Sequence, residues 1–345
     1  MNCKAPKPAG PREVLHHEGM QMKIFRLCVF FAMALAAAST VWAQAYPSRP
    51  VRIIIPSSAG SGTDVGMRLL AEGLLKPTGQ SFVIDNRPGG AGNIGMAQGA
   101  KSPADGYTLV TGGFGLTVVN QFIYTAAQMG FEPVKELEPI LLVAKVPYLI
   151  AASPSLPANN VQELIAAARA KPGTVNVALT TTSSRMVYEL LTRSASAPMF
   201  PITYKTTGGA VTDTIGGQTQ IVMETIAALR SSLTSSGGRL KPIAVTSRAS
   251  TELLPNVKSV AEQGVADFEL SGYVSLYGPK GMPREAVNYI NAELNKLLRL
   301  PDIRKRFIDL GLEPGGGTPQ ELADFEEAER RKWGPIIKAA KITVE

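Results

Sequence analysis

The chain has 345 residues, of which 45% are hydrophobic and 18% charged, so it can bury a core and is no disordered tail. The length suits two domains or one large α/β body with two lobes, and the 33 glycines follow no G-x-y repeat, which excludes a collagen-like rod. The net charge of +7 is spread without a long Lys/Arg run, which speaks against nucleic acid as a partner.

Residues 1–45 read as a leader. Lys23 and Arg26 precede an apolar run of 12 residues, Leu27 to Ala38, and small residues follow up to Ala43-Gln44-Ala45. This is the pattern of a secretory signal peptide, with translation starting at Met20 or Met22 and cleavage near Ala43 or Ala45. The run is short for a membrane anchor. Cleavage at Ala43 removes both cysteines (Cys3, Cys28) and both histidines (His16, His17), and leaves a net charge of +4. Without thiol or imidazole, the mature chain has no disulfide, no Cys/His zinc site, no Ser-His-Asp triad and no Cys-His dyad. Carboxylate-only catalysis stays open. The expected location is the periplasm.

The mature chain alternates strands and helices. Val51–Ile55 is an apolar strand between Pro50 and Pro56, followed by a loop to Asp64 and a helix that stops near Pro77-Thr78-Gly79. Strands are expected at 81–84 and 107–111, with a short helix between them that ends near Ala100. The β-α-β-α-β order predicts a parallel sheet with right-handed crossovers. Further strands are expected at 140–143, 148–151, 175–179, 202–204, 220–223, 240–246 and 273–277, with helices at 161–170 and 284–298. Thr318-Pro319-Gln320-Glu321 is a capping box with Pro in the first turn, and Pro335 should kink or end the last helix. Extended segments near 144–150 and 266–272 divide the βα units into two α/β lobes, each a mostly parallel sheet flanked by helices. The first comprises 46–145 plus 268–345, the second 146–267. A ligand belongs in the cleft at the strand C-terminal ends.

The loop Ser57-Ser58-Ala59-Gly60-Ser61-Gly62-Thr63-Asp64 carries the most chemistry. It joins a buried strand to a helix N-terminus, where small residues free backbone N–H groups and the helix dipole favours an anion. The plain alternative is an ordinary βα turn capped by Thr63 or Asp64. A dinucleotide reading also exists: Gly60-x-Gly62-x-x-x-Gly66 follows the strand, and Asp85 ends the next one. Export and the absence of a Y-x-x-x-K pair weigh against this nucleotide-dependent oxidoreductase. No cofactor is expected, and no enzyme. Thr180-Thr181-Thr182-Ser183-Ser184-Arg185 is the counterpart turn in the second lobe, where Arg185 either binds a carboxylate through two parallel hydrogen bonds or faces solvent. Gly113 and Phe114 follow the third strand, with Phe114 either on the ligand or in the core. Asn120, Tyr204 and Glu224 are further contacts, each with a structural alternative as helix cap, hinge residue or surface carboxylate.

Tyr46-Pro47-Ser48-Arg49-Pro50-Val51-Arg52, Gly62-Thr63-Asp64, Asp85-Asn86-Arg87-Pro88-Gly89-Gly90-Ala91-Gly92-Asn93-Ile94-Gly95, Asp105-Gly106-Tyr107-Thr108-Leu109 and Gly278-Pro279-Lys280-Gly281-Met282-Pro283 carry a resemblance over nearly all of the mature chain. It resembles the extracytoplasmic solute-binding proteins of tripartite tricarboxylate transporters, the Bug (Bordetella uptake gene) family. The resemblance implies a two-lobed Venus-flytrap, that is, periplasmic-binding-protein fold. It implies a monomer that holds a small carboxylated solute at the first loop and docks on membrane permease subunits. A binding module that feeds a membrane sensor is the other use of such a fold. Departures fall at the specificity end: Ser57 where the family has an aromatic residue, Asn120-Gln121 for Asn-Pro, Arg185 at a His position and Glu224 for Asp. They suggest a ligand with a second anionic or polar group meeting Arg185.

Overall fold

The computed structural model describes residues 46–234 and 239–340; the expected leader and its cleavage site lie outside them. Val51–Ile55 (β1) pairs in parallel with Phe82–Asn86 (β2) on one side and Thr108–Gly113 (β3) on the other. Every residue of β1 except Arg52 is buried, as a parallel strand covered on both faces requires. The helix Gly62–Thr78 (α1) starts at the Ser61 cap, stops at the left-handed Gly79, and buries Met67, Leu70 and Leu74. The helix Asn93–Ala100 (α2) crosses between β2 and β3.

The next strand corrects the expected pair at 140–143 and 148–151. Leu137–Ala152 (β4) is one strand of 16 residues that changes partners along its length. Up to Pro147 it pairs antiparallel with Ser271–Pro279 (β9). From Tyr148 it pairs antiparallel with Ile221–Thr225 (β7) and, from Leu149, with Lys241–Val245 (β8). Proline at 147, lacking a backbone N–H, stands where one partner gives way to the other. The parallel strands Asn176–Leu179 (β5) and Phe200–Thr203 (β6) complete the path β2-β1-β3-β9-β4-β7-β5-β6, and Glu313–Gly316 (β10) flanks β4. Each end of this mixed sheet has a parallel core of three strands, with β9, β4, β8 and β10 antiparallel between them.

The remaining long helices are Val161–Ala170 (α3), Thr182–Ala195 (α4), Thr207–Ile215 (α5), Ile226–Thr234 (α6), Arg284–Leu298 (α7), Pro301–Asp309 (α8) and Pro319–Ala339 (α9). α9 opens with the expected Thr318/Glu321 capping box and runs through Pro335, which therefore does not end it. Burial of Trp333 and Ile337 on either side of the proline, with Gly334 packed on the Phe122 ring, holds the helix together across the missing hydrogen bond. Among the described residues no helix is long and apolar enough to cross a membrane.

Candidate functional site

Register decides which loops meet. Ile55 lies opposite Asn86 and Ile54 opposite Val110, so β1, β2 and β3 end at one edge. The loop after β1 is shaped from within. Gly60 takes a left-handed φ of 82°, and its N–H donates to Asp64 Oδ2 at 2.8 Å. Arg68 Nε and Asn86 Nδ2 also donate to Asp64, at 3.1 and 3.0 Å from Oδ1. Burial works against ionisation of this carboxyl, but the hydrogen bonds from Arg68, Gly60 and Asn86 outweigh it and hold its pKa below the ordinary range. Asp64 is therefore turned inward as the anchor of the loop. Ser61 caps α1 by accepting from Asp64 N at 3.2 Å and shares a hydrogen bond of 2.9 Å with Ser57. The amides of Ser58, Ala59, Gly62 and Thr63 have no partner among the described residues.

The glycine-rich run after β2 supports this loop by packing. A Cβ on Gly95 would stand 2.7 Å from Arg87 O and 3.0 Å from Pro56 Cα, so only glycine lets α2 lie against the start of the loop. Asp85 accepts from Arg52 Nε at 2.7 Å and Arg87 Nε at 3.0 Å. Its carboxylate is thus engaged by two guanidinium groups, where the dinucleotide reading needs it free for a ribose.

In the other half, Leu179 stands opposite Met223 of β7 and Thr203 of β6, so the turn after β5, Glu224 and Tyr204 gather at one edge. The turn caps itself: Thr181 Oγ1 accepts from Ser184 N at 3.0 Å, and Ser184 Oγ accepts from Thr180 N and Thr181 N, both at 3.0 Å. Arg185 Nε donates to Glu189 one turn along α4, at 2.8 Å. Glu224 is buried and accepts from Thr180 and, at 3.4 Å, from Thr207. Tyr204 donates to Asp213 at 2.7 Å. Asn120 is buried and donates to Asn93 at 2.8 Å.

A cavity of about 240 Å³ lies between these two edges. Ser57 and Thr63 line it from the first loop, Gly113 and Phe114 from the end of β3, and Ser183 from the second turn. Ser58, Ala59, Gly60, Ser61, Gly62 and Asp64 build the first loop without lining the cavity, and Thr181 and Thr182 are exposed beside Ser183. Asn120, Arg185, Tyr204 and Glu224 lie outside the lining, each engaged as described. Further walls come from residues the sequence reading did not single out as contacts, among them Val146 and Tyr148 of β4, and Gly272, Tyr273 and Val274 of β9. Their signal was present, because they fall in or beside the two extended segments near 144–150 and 266–272 at which the sequence reading expects the lobes to divide. Phe114 packs edge-to-face on Tyr273 and Trp333, with centroids 6.3 and 5.4 Å apart. Gly113 must be glycine, since a Cβ there would stand 2.1 Å from Tyr273 O. Burial pushes the Tyr148 phenol up to about 12 against hydrogen bonds from Ser183 and Thr181, with the charge of Glu224 adding to the rise. It is therefore a neutral hydroxyl at neutral pH.

A larger cavity, of about 670 Å³, lies between the starts of β4, α7 and α9. None of the candidate residues borders it, and four of its charged groups pair with one another: Lys280 with Glu138 at 2.9 Å and Arg330 with Glu326 at 3.6 Å. No group of His, Cys, Asp and Glu among the described residues could hold a metal ion.

The pattern of the family described as "Tripartite tricarboxylate transporter family receptor" matches residues 67–342. BugT of Bordetella pertussis is 31% identical over 318 residues, which cover 90% of this chain and 94% of BugT. A UPF0065 protein from the tcbD–tcbE intergenic region of Pseudomonas sp. strain P51 is 30% identical over 317 residues, 90% of this chain and 93% of the relative. Among solved structures, an R. palustris protein with adipate is 31% identical with a TM-score of 0.72, covering 87% of this chain and 100% of that one. The periplasmic binding protein BugD is 28% identical, with a TM-score of 0.68 and the same coverage.

Proposed function

Because the chain belongs to the tripartite tricarboxylate transporter receptor family, we propose that it captures a small carboxylated solute in the 240 Å³ cavity and hands it to the membrane subunits of such a transporter. The observation that carries this reading is that Ser57 and Thr63 of one half and Ser183 of the other line the same cavity. The unpartnered amide of Thr63, on the cavity wall at the start of α1, offers the carboxylate a hydrogen bond and the positive end of a helix dipole. The two halves, 46–145 with 268–345 and 146–267, act as lobes that meet at β4 and β9. A ligand that touches both lobes only when they are closed shifts the equilibrium toward closure. An N-terminal signal peptide that delivers the chain to the periplasm completes the reading. Adipate, found in the R. palustris relative, supports the class of ligand.

The test is calorimetric titration of the purified protein with a panel of organic acids and their neutral amides. Binding by at least one acid and not by its amide is the expected result. Amides that bind as well as acids, or no binding at all, defeat the reading.

A further inference from the structure

One tyrosine of the cavity wall is held by a carboxylate that does not border the cavity. Tyr273 lines the 240 Å³ cavity, and its hydroxyl donates to Glu326 Oε1 at 3.0 Å. Glu326 belongs to α9 and stands outside that lining. The same oxygen accepts from the hydroxyls of Tyr277 and Thr117. All four side chains are buried. Tyr273 and Tyr277 come from β9, and Thr117 directly follows the lining residues Gly113, Phe114, Gly115 and Leu116. Glu326 therefore ties together two segments of the wall. Its other oxygen, Oε2, faces Arg330 at 3.6 Å. α9 backs the same wall with rings: Phe325 packs edge-to-face on Tyr273 with centroids 5.0 Å apart, and Trp333 on Phe114 at 5.4 Å.

A buried carboxylate is a poor way to gain stability, since an apolar side chain of similar volume would fill the space at less cost. What it adds is direction. Each hydroxyl brings one proton, and a carboxylate, which only accepts, can take all three. On the premise that the cavity captures a carboxylate, we infer that Glu326 is a positioning residue for binding: it touches no ligand and acts through Tyr273, whose place in the wall it fixes. Glutamine cannot replace it. If the amide oxygen stays with the hydroxyls, its NH2 group meets the Arg330 guanidinium; if the amide turns over, the NH2 group meets three donors.

The test is calorimetry of wild type, Glu326→Gln, Tyr273→Phe and the double variant with adipate, succinate, hexanoate and benzoate, read on the acid that binds wild type most tightly. Each single substitution is expected to weaken binding about tenfold. The double variant is expected to lose about tenfold as well, and not about a hundredfold, because Glu326 has no hydroxyl left to hold at position 273. A role in stability alone would lower the thermal transition of Glu326→Gln and leave its affinity within about twofold of wild type. That result, or losses that multiply in the double variant, overturns the inference and leaves carboxylate capture standing. Should Glu326→Gln show no cooperative thermal transition, Tyr273→Phe decides alone, since it keeps the ring and drops one hydroxyl: an affinity within about twofold of wild type overturns the inference. Silence of the wild type toward all four acids overturns both.

Discussion

Replacing Asp64 by Asn tests how the first loop is held. The carboxylate accepts from Gly60 N at 2.8 Å, Arg68 Nε at 3.1 Å and Asn86 Nδ2 at 3.0 Å, and every one of these partners is a donor. An amide of the same shape keeps one accepting oxygen and turns an NH2 group toward a donor. At least one buried hydrogen bond is then lost, at a cost of about 1–3 kcal/mol. The ion pair with Arg68 adds less than about 1 kcal/mol, because the arginine side chain is 51% exposed. A total of about 2–3 kcal/mol corresponds to a Tm lower by roughly 4–8 °C for a protein of this size. The loop loses its fixed shape, so the affinity for a bound organic acid should fall as well. The pH dependence gives a second handle. The folded pKa of Asp64 lies below its unfolded value of about 3.9, so its contribution is complete above that pH and is lost as pH falls through the folded value. Urea unfolding of both proteins at pH 7, 5 and 3 should show a constant gap at the first two and a smaller one at the last. A Tm within about 1 °C of wild type at pH 7, or a gap that stays unchanged on acidification, refutes the reasoning.

Two further substitutions probe the cavity. In Gly113→Ala the added methyl would stand 2.1 Å from Tyr273 O, so β3 and β9 must part; about 1–3 kcal/mol of stability and most binding of an organic acid should go, whereas Gly208→Ala, with open space around its Cβ, should leave both nearly unchanged in the same melts and titrations. Arg185→Ala breaks a partly exposed pair with Glu189 and a guanidinium contact 5.4 Å from the centre of the Tyr188 ring, so it should cost about 1 kcal/mol and leave the affinity for a bound organic acid within about twofold; a tenfold loss by calorimetry would restore Arg185 as a ligand contact.

Much of this protein is legible in the residues alone. The apolar run Val51–Ile55, the Thr318 capping box and the glycine that ends α1 each state a local preference that the fold keeps. The first loop could be found because strand, small residues and helix follow one another in the chain. The fate of individual side chains could not. Asp64, Arg185 and Glu224 all carry charge beside a strand end, and sequence offers no reason to separate them from ligand contacts. Their partners decide: Asn86 lies 22 residues away from Asp64 and Thr180 lies 44 from Glu224, brought close only by strand register.

The sequence by itself determined the alternation of strands and helices, the two polar turns and the family, since these depend on neighbours within a few residues and on quoted motifs. Only the tertiary structure decided that β4 is one strand shared by both halves, that Pro335 stays inside a helix and that Tyr148 and Tyr273 wall the cavity. Those outcomes rest on which distant surfaces bury one another, and a burial partner far along the chain leaves no periodicity to read.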